Sequence, residues 1–204
     1  MTDPASPALV LASSSRYRRE LLARLCIPFA THAPDVDENA RPGEDGPALV
    51  IRLARAKAAA AALAYPSAFV VGSDQVLMLE GAPVSKPGCI DAARRQLAAA
   101  SGRTIRFHTG VCVRAPDGRE RARDVVTDVT FRALDAPEID RYLLVERPFD
   151  CAGSFRIEGL GIALVTAVGS EDPTALIGLP LIAVSGYLRD LGLDPLAALP
   201  EPAD

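Results

Sequence analysis

The sequence predicts an α/β fold, or an α+β fold with a mixed sheet, for three reasons. Short apolar runs alternate with segments of helical period along the chain. No linker-like composition and no internal repeat interrupts this alternation. Hydrophobic residues make up 49% of the chain and charged residues 24%, as in globular proteins. We therefore expect a single domain over residues 1–204, with a frayed tail at 194–204.

The predicted elements of the N-terminal half alternate between strand and helix. In chain order they are a strand at Ala8–Ala12, a helix with Leu21, Leu22 and Leu25 on one face, an extended segment at 26–36, a helix at 47–64, a buried strand at Ala68–Val71 that ends at a turn at Gly72-Ser73-Asp74, an extended segment at Gln75–Leu79, and a hairpin turn at Glu80-Gly81. The helix at 47–64 is the strongest prediction, because Pro47 suits a first helical position and an alanine run follows.

The predicted elements of the C-terminal half continue the same alternation. They are a helix at Asp91–Ala100, two strands at Thr104–Val113 and Asp124–Phe131 joined at Asp117-Gly118, a helix at Pro137–Val145, an apolar strand at Gly161–Val168 and a closing helix at Pro173–Leu191. Gly178 and Pro180 predict a break in the closing helix, since neither residue suits a helix interior.

Composition also limits the function and location of the protein. The net charge is −4 and the pI about 5.3, which argues against nucleic-acid or anionic-membrane partners. No stretch approaches the roughly 18 apolar residues of a membrane span, and the N-terminus does not resemble a signal peptide. The four cysteines form no C-x-x-C pair, so we expect reduced, mostly buried thiols in a cytoplasmic protein.

The segment LASSSRYRRELL (11–22) favours phosphate binding. A strand that enters a serine-rich turn and then a helix presents free N–H groups and the positive end of the helix dipole to an anion. Ser13–Ser15 add hydroxyl groups, and Arg16, Arg18 and Arg19 add charge. The alternative is an ordinary N-cap serine followed by a solvated arginine face. The segment alone leaves both open, and it matches neither common nucleotide-binding fingerprint.

Acidic residues and the only two lysines provide further candidates. Asp35, Asp37 and Glu38 are either solvated loop carboxylates or ligands of a hard metal ion such as Mg²⁺. Asp74 follows a buried strand, where it is either a turn residue or a functional carboxylate. The two lysines, Lys57 and Lys86, each suit a surface position when taken alone. Together with the arginine-rich helix start, these groups match a phosphoryl-transfer site.

The segment FDCAGSFRIEGLGI (149–162) places Glu158 among glycines and apolar residues. A buried carboxylate at this point would accept hydrogen bonds from a purine edge, whereas a solvent-facing glutamate on a hairpin would not. Spacing alone does not choose between the two. Zinc is poorly supported anywhere in the chain, because the sequence contains only two histidines.

Six motifs in one order resemble the Maf family of nucleoside triphosphate pyrophosphatases, housecleaning enzymes first named as septum-formation inhibitors. They are LASSSRYRRELL, RLARAKA, GSDQV…KP, SGRTIRFHTGV, CAGSFRIEG and GLPL. The resemblance runs from about residue 9 to 193, and these limits define the expected core. It implies an elongated mixed sheet flanked by helices, with two lobes around a central cleft as in inosine triphosphate pyrophosphatase. It also implies a divalent metal, Mg²⁺ or Mn²⁺, and often a homodimer.

The same resemblance implies roles for individual residues. The catalytic proton acceptor falls on Asp74, the acidic metal position on Glu38, and the phosphate-binding positions on Ser13, Arg18, Lys57 and Lys86.

Gln75 and the FRIEG motif resemble the branch that hydrolyses 7-methyl-GTP, whose specificity positions fall on Tyr17, Gln75 and Glu158. The branch usually has Pro-Trp where this chain has Arg16-Tyr17. An aromatic face suits a cationic methylated base, and a carboxylate suits its N–H groups. The alternatives are a pyrophosphatase of the same family that prefers dTTP or UTP, and a nucleotide-sensing regulator of septum formation.

Overall fold

The computed structural model describes residues 8–79, 82–84 and 86–198. Across these residues, seven strands form one mixed sheet. The strands are β1 (Leu9–Leu11), β2 (Ala30–Thr31), β3 (Phe69–Leu79), β4 (Ala82–Val84), β5 (Thr104–Arg114), β6 (Glu120–Phe131) and β7 (Val165–Ser170). The helices are α1 (Arg16–Ala23), α2 (Gly46–Ala64), α3 (Ile90–Ala100), α4 (Ala136–Glu146) and α5 (Leu181–Leu191). The predicted α/β class is therefore confirmed.

The sheet has the order β2-β1-β3-β5-β6-β7, with β4 paired to β3 outside this path. Strand β1 is parallel to β2 and β3, whereas every other pair is antiparallel. The long antiparallel pair of β5 and β6 is joined by the turn predicted at Asp117-Gly118, where Gly118 N–H donates to Ala115 O over 3.0 Å.

Strand β3 organises the site because two short strands share one of its edges. Residues Leu9–Leu11 of β1 pair with Phe69–Val71, and β4 pairs with Leu77–Leu79. Between these pairings, the segment 72–76 has no strand partner on that edge within the described residues. A strand alternates its side chains between the two faces of the sheet. The side chains of neighbouring residues in this segment therefore point to opposite faces of the sheet, while their backbone lies along the same unpaired edge of β3.

Helix α2 covers one face of the sheet at unusually close range. A Cβ atom on Gly72 would lie 2.2 Å from the carbonyl oxygen of Ala54, and one on Gly110 would lie 2.2 Å from that of Val50. Only glycine permits this approach of helix backbone to strand backbone. Asp45 caps α2 by accepting a hydrogen bond from Ala48 N over 2.9 Å, and a proline follows in the first turn, as predicted.

The opposite face of the sheet is covered by two separate groups of helices. Helices α1 and α5 pack on β1 and on one end of β3 and β5, around Leu21, Val111 and Leu188. Helices α3 and α4 pack on the other end of β5 and β6, around Leu97 and Phe107. These two hydrophobic clusters give the molecule two lobes, and the open edge of β3 lies between them.

The turn predicted at Gly72-Ser73-Asp74 is wrong. Strand β3 runs without a break from Phe69 to Leu79, and Asp74 lies inside it, paired with Gly110 of β5.

Other predicted elements also differ from the structure. Strand β6 begins at Glu120 rather than at Asp124, and Leu25 lies beyond the end of α1. The extended segment at 26–36 forms a strand only at Ala30–Thr31. The apolar strand predicted at Gly161–Val168 is a 3₁₀ helix over Leu160–Leu164, and the strand begins at Val165. Apolar content alone does not distinguish a buried turn from a strand. The closing helix predicted at Pro173–Leu191 contains a 3₁₀ turn at Ala175–Ile177 and α5, separated at the predicted break.

Predictions for the chain ends and the thiols have mixed outcomes. Residues 194–198 form a turn in which Ala198 N–H donates to Asp194 O over 3.0 Å, and the fraying of the tail stays a prediction. The hairpin turn predicted at Glu80-Gly81 and the residues 199–204 lie outside the described residues.

The prediction of mostly buried thiols is wrong, because Cys26 and Cys89 are exposed while Cys112 is buried. Burial raises the pKa of Cys112 to about 12.

Candidate active site

The serine-rich turn after β1 is compact and internally bonded. The Ser13 hydroxyl is buried and accepts a hydrogen bond from Ser15 N–H over 3.1 Å. Ser15 is the N-cap of α1, since its hydroxyl accepts from Arg18 N–H over 3.4 Å. The N-cap interpretation of the segment is therefore correct for Ser15. The N-terminus of α1 opens into the cleft, so the same turn also remains suitable for an anion.

Arg18 does not belong to a solvated arginine face. Its Nε donates to the carbonyl oxygen of Gly178 over 2.9 Å, and the Ser73 hydroxyl donates to the same oxygen over 2.9 Å. Burial lowers the pKa of the Arg18 guanidinium, whereas the carboxylates of Asp74 and Glu38 raise it. The guanidinium is thus tied to the loop before α5 and lies near both acidic candidates.

A lysine joins the two acidic candidates. Lys57 Nζ on α2 lies 2.7 Å from Asp74 Oδ1 on β3 and 2.6 Å from Glu38 Oε1 in the loop before α2. The Lys57 side chain is 9% exposed and that of Asp74 14%, whereas that of Glu38 is 64% exposed. The hydrogen bond from Lys57 holds the pKa of Glu38 below its ordinary value. A buried ammonium thus fixes two carboxylates at the cleft.

The other loop carboxylates lie elsewhere. Asp37 Oδ1 accepts from both the backbone N–H and the side-chain amide of Asn39, over 3.0 and 2.7 Å. Neither Asp37 nor Asp35 lines the cleft. Of the three acidic residues considered in this loop, only Glu38 reaches the site.

Two adjoining cavities form the cleft. The larger cavity, of about 810 Å³, contains Ser13, Glu38, Lys57 and Asp74 in its wall. The smaller one, of about 100 Å³, contains Glu158 together with the apolar side chains of Phe107, Phe155 and Ile157. Both cavities share four of the predicted residues, which are Tyr17, Arg18, Gln75 and Lys86. All nine predicted site residues therefore line one continuous cleft.

Gln75 is fixed by the loop that precedes α5. Its Nε2 lies 3.0 Å from the Thr109 hydroxyl oxygen and 3.0 Å from the carbonyl oxygens of Ala175 and Leu176. The amide nitrogen is therefore used inside the protein. Within the described residues, Oε1 has no hydrogen-bond partner, so the acceptor end of the amide is available to a ligand.

Glu158 lies in a turn rather than on a hairpin. Its side chain is 28% exposed, and its Oε1 lies 3.8 Å from Arg156 Nε. The carboxylate is thus neither deeply buried nor fully solvated, and it lines the smaller cavity. This position leaves its oxygens able to accept hydrogen bonds from a bound base.

The two carboxylates that Lys57 joins at the larger cavity are too few to hold a hard cation by protein groups alone. Within the described residues, no group of three or more His, Cys, Asp and Glu side chains is placed to hold a metal ion. Asp74 and Glu38 supply two carboxylates that face each other across Lys57. Mg²⁺ commonly takes one or two carboxylates and completes its shell with water and substrate phosphate. The residues present fit that mode of binding.

Sequence reasoning missed Asp172, which positions the loop before α5. This carboxylate is 2% exposed. Its Oδ1 accepts from Thr174 N–H and its Oδ2 accepts from Ile182 N–H, over 3.1 and 2.7 Å. The loop so held presents the carbonyl groups that bind Arg18 and Gln75. The Asp-Pro-Thr sequence signals a turn, but its contact with a helix ten residues later has no local signature.

The fold is that of an α/β protein with a cleft lined by serine, arginine, lysine and carboxylate side chains, and comparison with known proteins gives the family. The chain belongs to the family described as Maf-like protein, whose model matches residues 8–191.

Two relatives and one solved structure illustrate the similarity. The 7-methyl-GTP pyrophosphatase of Xanthomonas axonopodis pv. citri is 54% identical over 91% of this chain and 97% of its own length. That of Bordetella pertussis is 51% identical over 95% and 97%. The Ham1 protein of Staphylococcus aureus aligns with a TM-score of 0.46 and 18% identity over 60% of this chain and 71% of its own.

A search of the described residues for membrane spans found no helix long and apolar enough to cross a bilayer.

Proposed function

We propose that the protein is a cytoplasmic housecleaning enzyme that hydrolyses 7-methyl-GTP to 7-methyl-GMP and pyrophosphate. The observation that supports this proposal most strongly is that the two cavities adjoin and share lining residues. A carboxylate held by a buried lysine lies in one cavity, a pocket of about 100 Å³ that contains Glu158 forms the other, and Tyr17, Arg18 and Gln75 line both. The names of the relatives support the same substrate.

The triphosphate would lie in the larger cavity. The N-terminus of α1 and the Ser13 turn offer N–H and hydroxyl donors, and Arg18, Lys57 and Lys86 offer positive charge. Lys86 is exposed at the rim, where it is able to follow a ligand. These groups offset phosphate charge on a protein whose net charge is −4.

Asp74 would act as the proton acceptor. A water molecule held by its carboxylate attacks the α-phosphorus and gives its proton to Asp74. The bond from the α-phosphorus to the bridging oxygen breaks, and pyrophosphate leaves with that oxygen. Lys57 holds the carboxylate by its 2.7 Å contact, so the carboxylate meets the water in a fixed orientation.

Glu38 and Asp74 would hold a divalent cation, Mg²⁺ or Mn²⁺, together with substrate phosphate oxygens. Such a cation offsets the charge that develops on the phosphate oxygens. Lys57 contacts both carboxylates and so holds them on the same side of the cavity.

The base would occupy the smaller cavity. Glu158 accepts hydrogen bonds from the N1–H and N2–H₂ groups of a guanine, and Gln75 offers its free amide oxygen. The Tyr17 ring provides an aromatic face at the junction of the two cavities. A methylated guanine carries a positive charge, which suits an aromatic face and a carboxylate.

Pyrophosphate release across a panel of nucleotides tests the proposal. We expect 7-methyl-GTP to be preferred over GTP, UTP, dTTP and CTP in the presence of Mg²⁺ or Mn²⁺. A preference for UTP or dTTP would overturn the substrate while keeping the reaction. If no nucleotide of the panel releases pyrophosphate, the enzyme proposal is overturned and a nucleotide-sensing regulator is favoured. The homodimer and the lack of a nucleic-acid partner remain predictions, which light scattering and a DNA-binding assay would check.

A further inference from the structure

Arginine side chains flank the Tyr17 ring at the junction of the two cavities. The Cζ atom of Arg16 lies 4.6 Å from the ring centroid, and that of Arg156 lies 5.6 Å from it. Both distances fall within the roughly 6 Å over which a cation is attracted to an aromatic face. Arg16 also donates from Nη2 to the Tyr17 hydroxyl oxygen over 2.6 Å. The ring at the base pocket therefore already has cationic neighbours.

The two arginines differ in how their charge is balanced. Arg156 donates from Nη1 to Glu146 over 2.7 Å, and its Nε lies 3.8 Å from Glu158. Arg16 is exposed. Its hydrogen bond to Tyr17 and the nearby carboxylates of Asp150 and Glu20 raise its pKa, although neither carboxylate forms a salt bridge with it in the described part of the chain. The charge of Arg16 thus lacks a carboxylate in contact, and one neighbouring ring fixes its position.

The position of Arg16 has a consequence for a charged ligand. A cation that stacks on Tyr17 must compete with Arg16 for the ring and is also repelled by the guanidinium. A neutral base meets the same competition for the ring but not the charge repulsion. The charge of residue 16, rather than its shape, therefore contributes to the difference in affinity between the two bases.

We infer that Arg16 reduces the selectivity of the cleft for a positively charged purine. The inference rests on the proposed function, and 7-methylguanine and guanine are the matched pair of bases that differ in this charge. Arg16 narrows the preference for 7-methyl-GTP over GTP that Tyr17, Gln75 and Glu158 create. Its replacement by a neutral residue widens that preference.

Binding titrations on three variants test this inference. Binding of 7-methyl-GTP and of GTP is measured by calorimetry in an Asp74→Asn background, where turnover does not interfere. We expect Arg16→Gln to raise the ratio of the two affinities by about two- to fivefold, the size of one exposed cation–π contact. Arg16→Lys keeps the charge and should retain the original ratio. Arg19→Gln, on the same helix but outside both cavities, is the matched control and should change neither affinity.

Steady-state kinetics provide a second readout in the otherwise unchanged protein. The ratio of kcat/KM values should shift by the same factor through KM, with kcat unaltered. An unchanged ratio in Arg16→Gln would overturn the inference. An equal loss of affinity for both nucleotides in Arg16→Gln would also overturn the inference, because Arg16 would then be a phosphate ligand.

Failure of the proposed function is distinguishable from failure of the inference. If the protein binds 7-methyl-GTP but releases no pyrophosphate, the proposed function is wrong, while the affinity ratio still decides the role of Arg16. If neither nucleotide binds to any variant, both are overturned.

Discussion

At the scale of single residues, charged contacts hold the loop that carries Glu38. Arg52 on α2 forms a bidentate salt bridge with Glu44, from Nε to Oε1 over 2.6 Å and from Nη2 to Oε2 over 2.7 Å. Arg52 Nη2 also donates to the carbonyl oxygen of Asn39 over 2.9 Å. One guanidinium therefore ties both ends of the segment after Glu38 to the helix that carries Lys57.

The pKa of Glu44 gives a pH-dependent prediction. The hydrogen bonds from Arg52 and from Arg41 N–H lower this pKa from 4.5 to about 2. A carboxyl whose folded-state pKa is lowered stabilises the protein above its unfolded pKa, and this contribution is lost as pH falls through the folded pKa. We expect Glu44→Gln to lower the free energy of unfolding at pH 7, with the difference from wild type shrinking between about pH 5 and pH 2.

Denaturant unfolding of wild type and variant at several pH values provides the measurement. Glu20→Gln, an exposed carboxylate on α1, is the control and should leave the free energy of unfolding nearly unchanged at every pH. A destabilisation by Glu44→Gln that stays constant down to pH 2 would contradict the assignment to the charged pair.

At the scale of elements, the packing of α2 on the sheet positions the catalytic candidates. Lys57 on the helix and Asp74 on β3 meet because glycine lets the two backbones approach closely. An added Cβ on Gly72 would meet the Ala54 carbonyl oxygen at 2.2 Å and the Ala58 nitrogen at 2.8 Å. These are backbone atoms, which are unable to rotate away, so the helix itself would have to move.

We expect Gly72→Ala to destabilise the fold by about 1–3 kcal/mol or more and to reduce turnover strongly, because overpacking pushes α2 from the sheet. Thermal unfolding and pyrophosphate release measure the two effects. Gly169→Ala on β7 is the matched control, since a Cβ at this position meets no atom within 4 Å. Wild-type stability and turnover in Gly72→Ala would contradict this account of the packing.

Sequence patterns predicted elements with local signals and missed those set by distant contacts. Helix α2 has an early proline and an alanine run, and its limits were predicted from them to within one residue. The start of β7 was misplaced, because its pairing with β6 and not its composition decides where the strand begins. Lys57 and Asp74 are 17 residues apart in the sequence, and their contact depends on the close packing of α2 on β3.

At the scale of the whole molecule, the cleft exists because β3 carries different partners along its length. Strand β1 belongs to the lobe of α1 and α5, whereas β4 pairs with the other end of β3. The open edge between them brings residues from distant parts of the chain together.

The resemblance to a family predicted which residues line this cleft. The sequence alone gave no sign that Arg16 would lie on Tyr17 or that Asp172 would hold the loop behind both cavities.

The central claim is that Asp74 activates water for attack on the α-phosphorus. Hydrolysis of 7-methyl-GTP in ¹⁸O-labelled water, followed by mass analysis of both products, tests it most directly when wild type and Asp74→Asn are compared. We expect the label to appear in 7-methyl-GMP and not in pyrophosphate. We also expect Asp74→Asn to remain folded and to lose at least about a hundredfold in rate. Label in pyrophosphate, release of inorganic phosphate, or an undiminished rate in Asp74→Asn would contradict the claim.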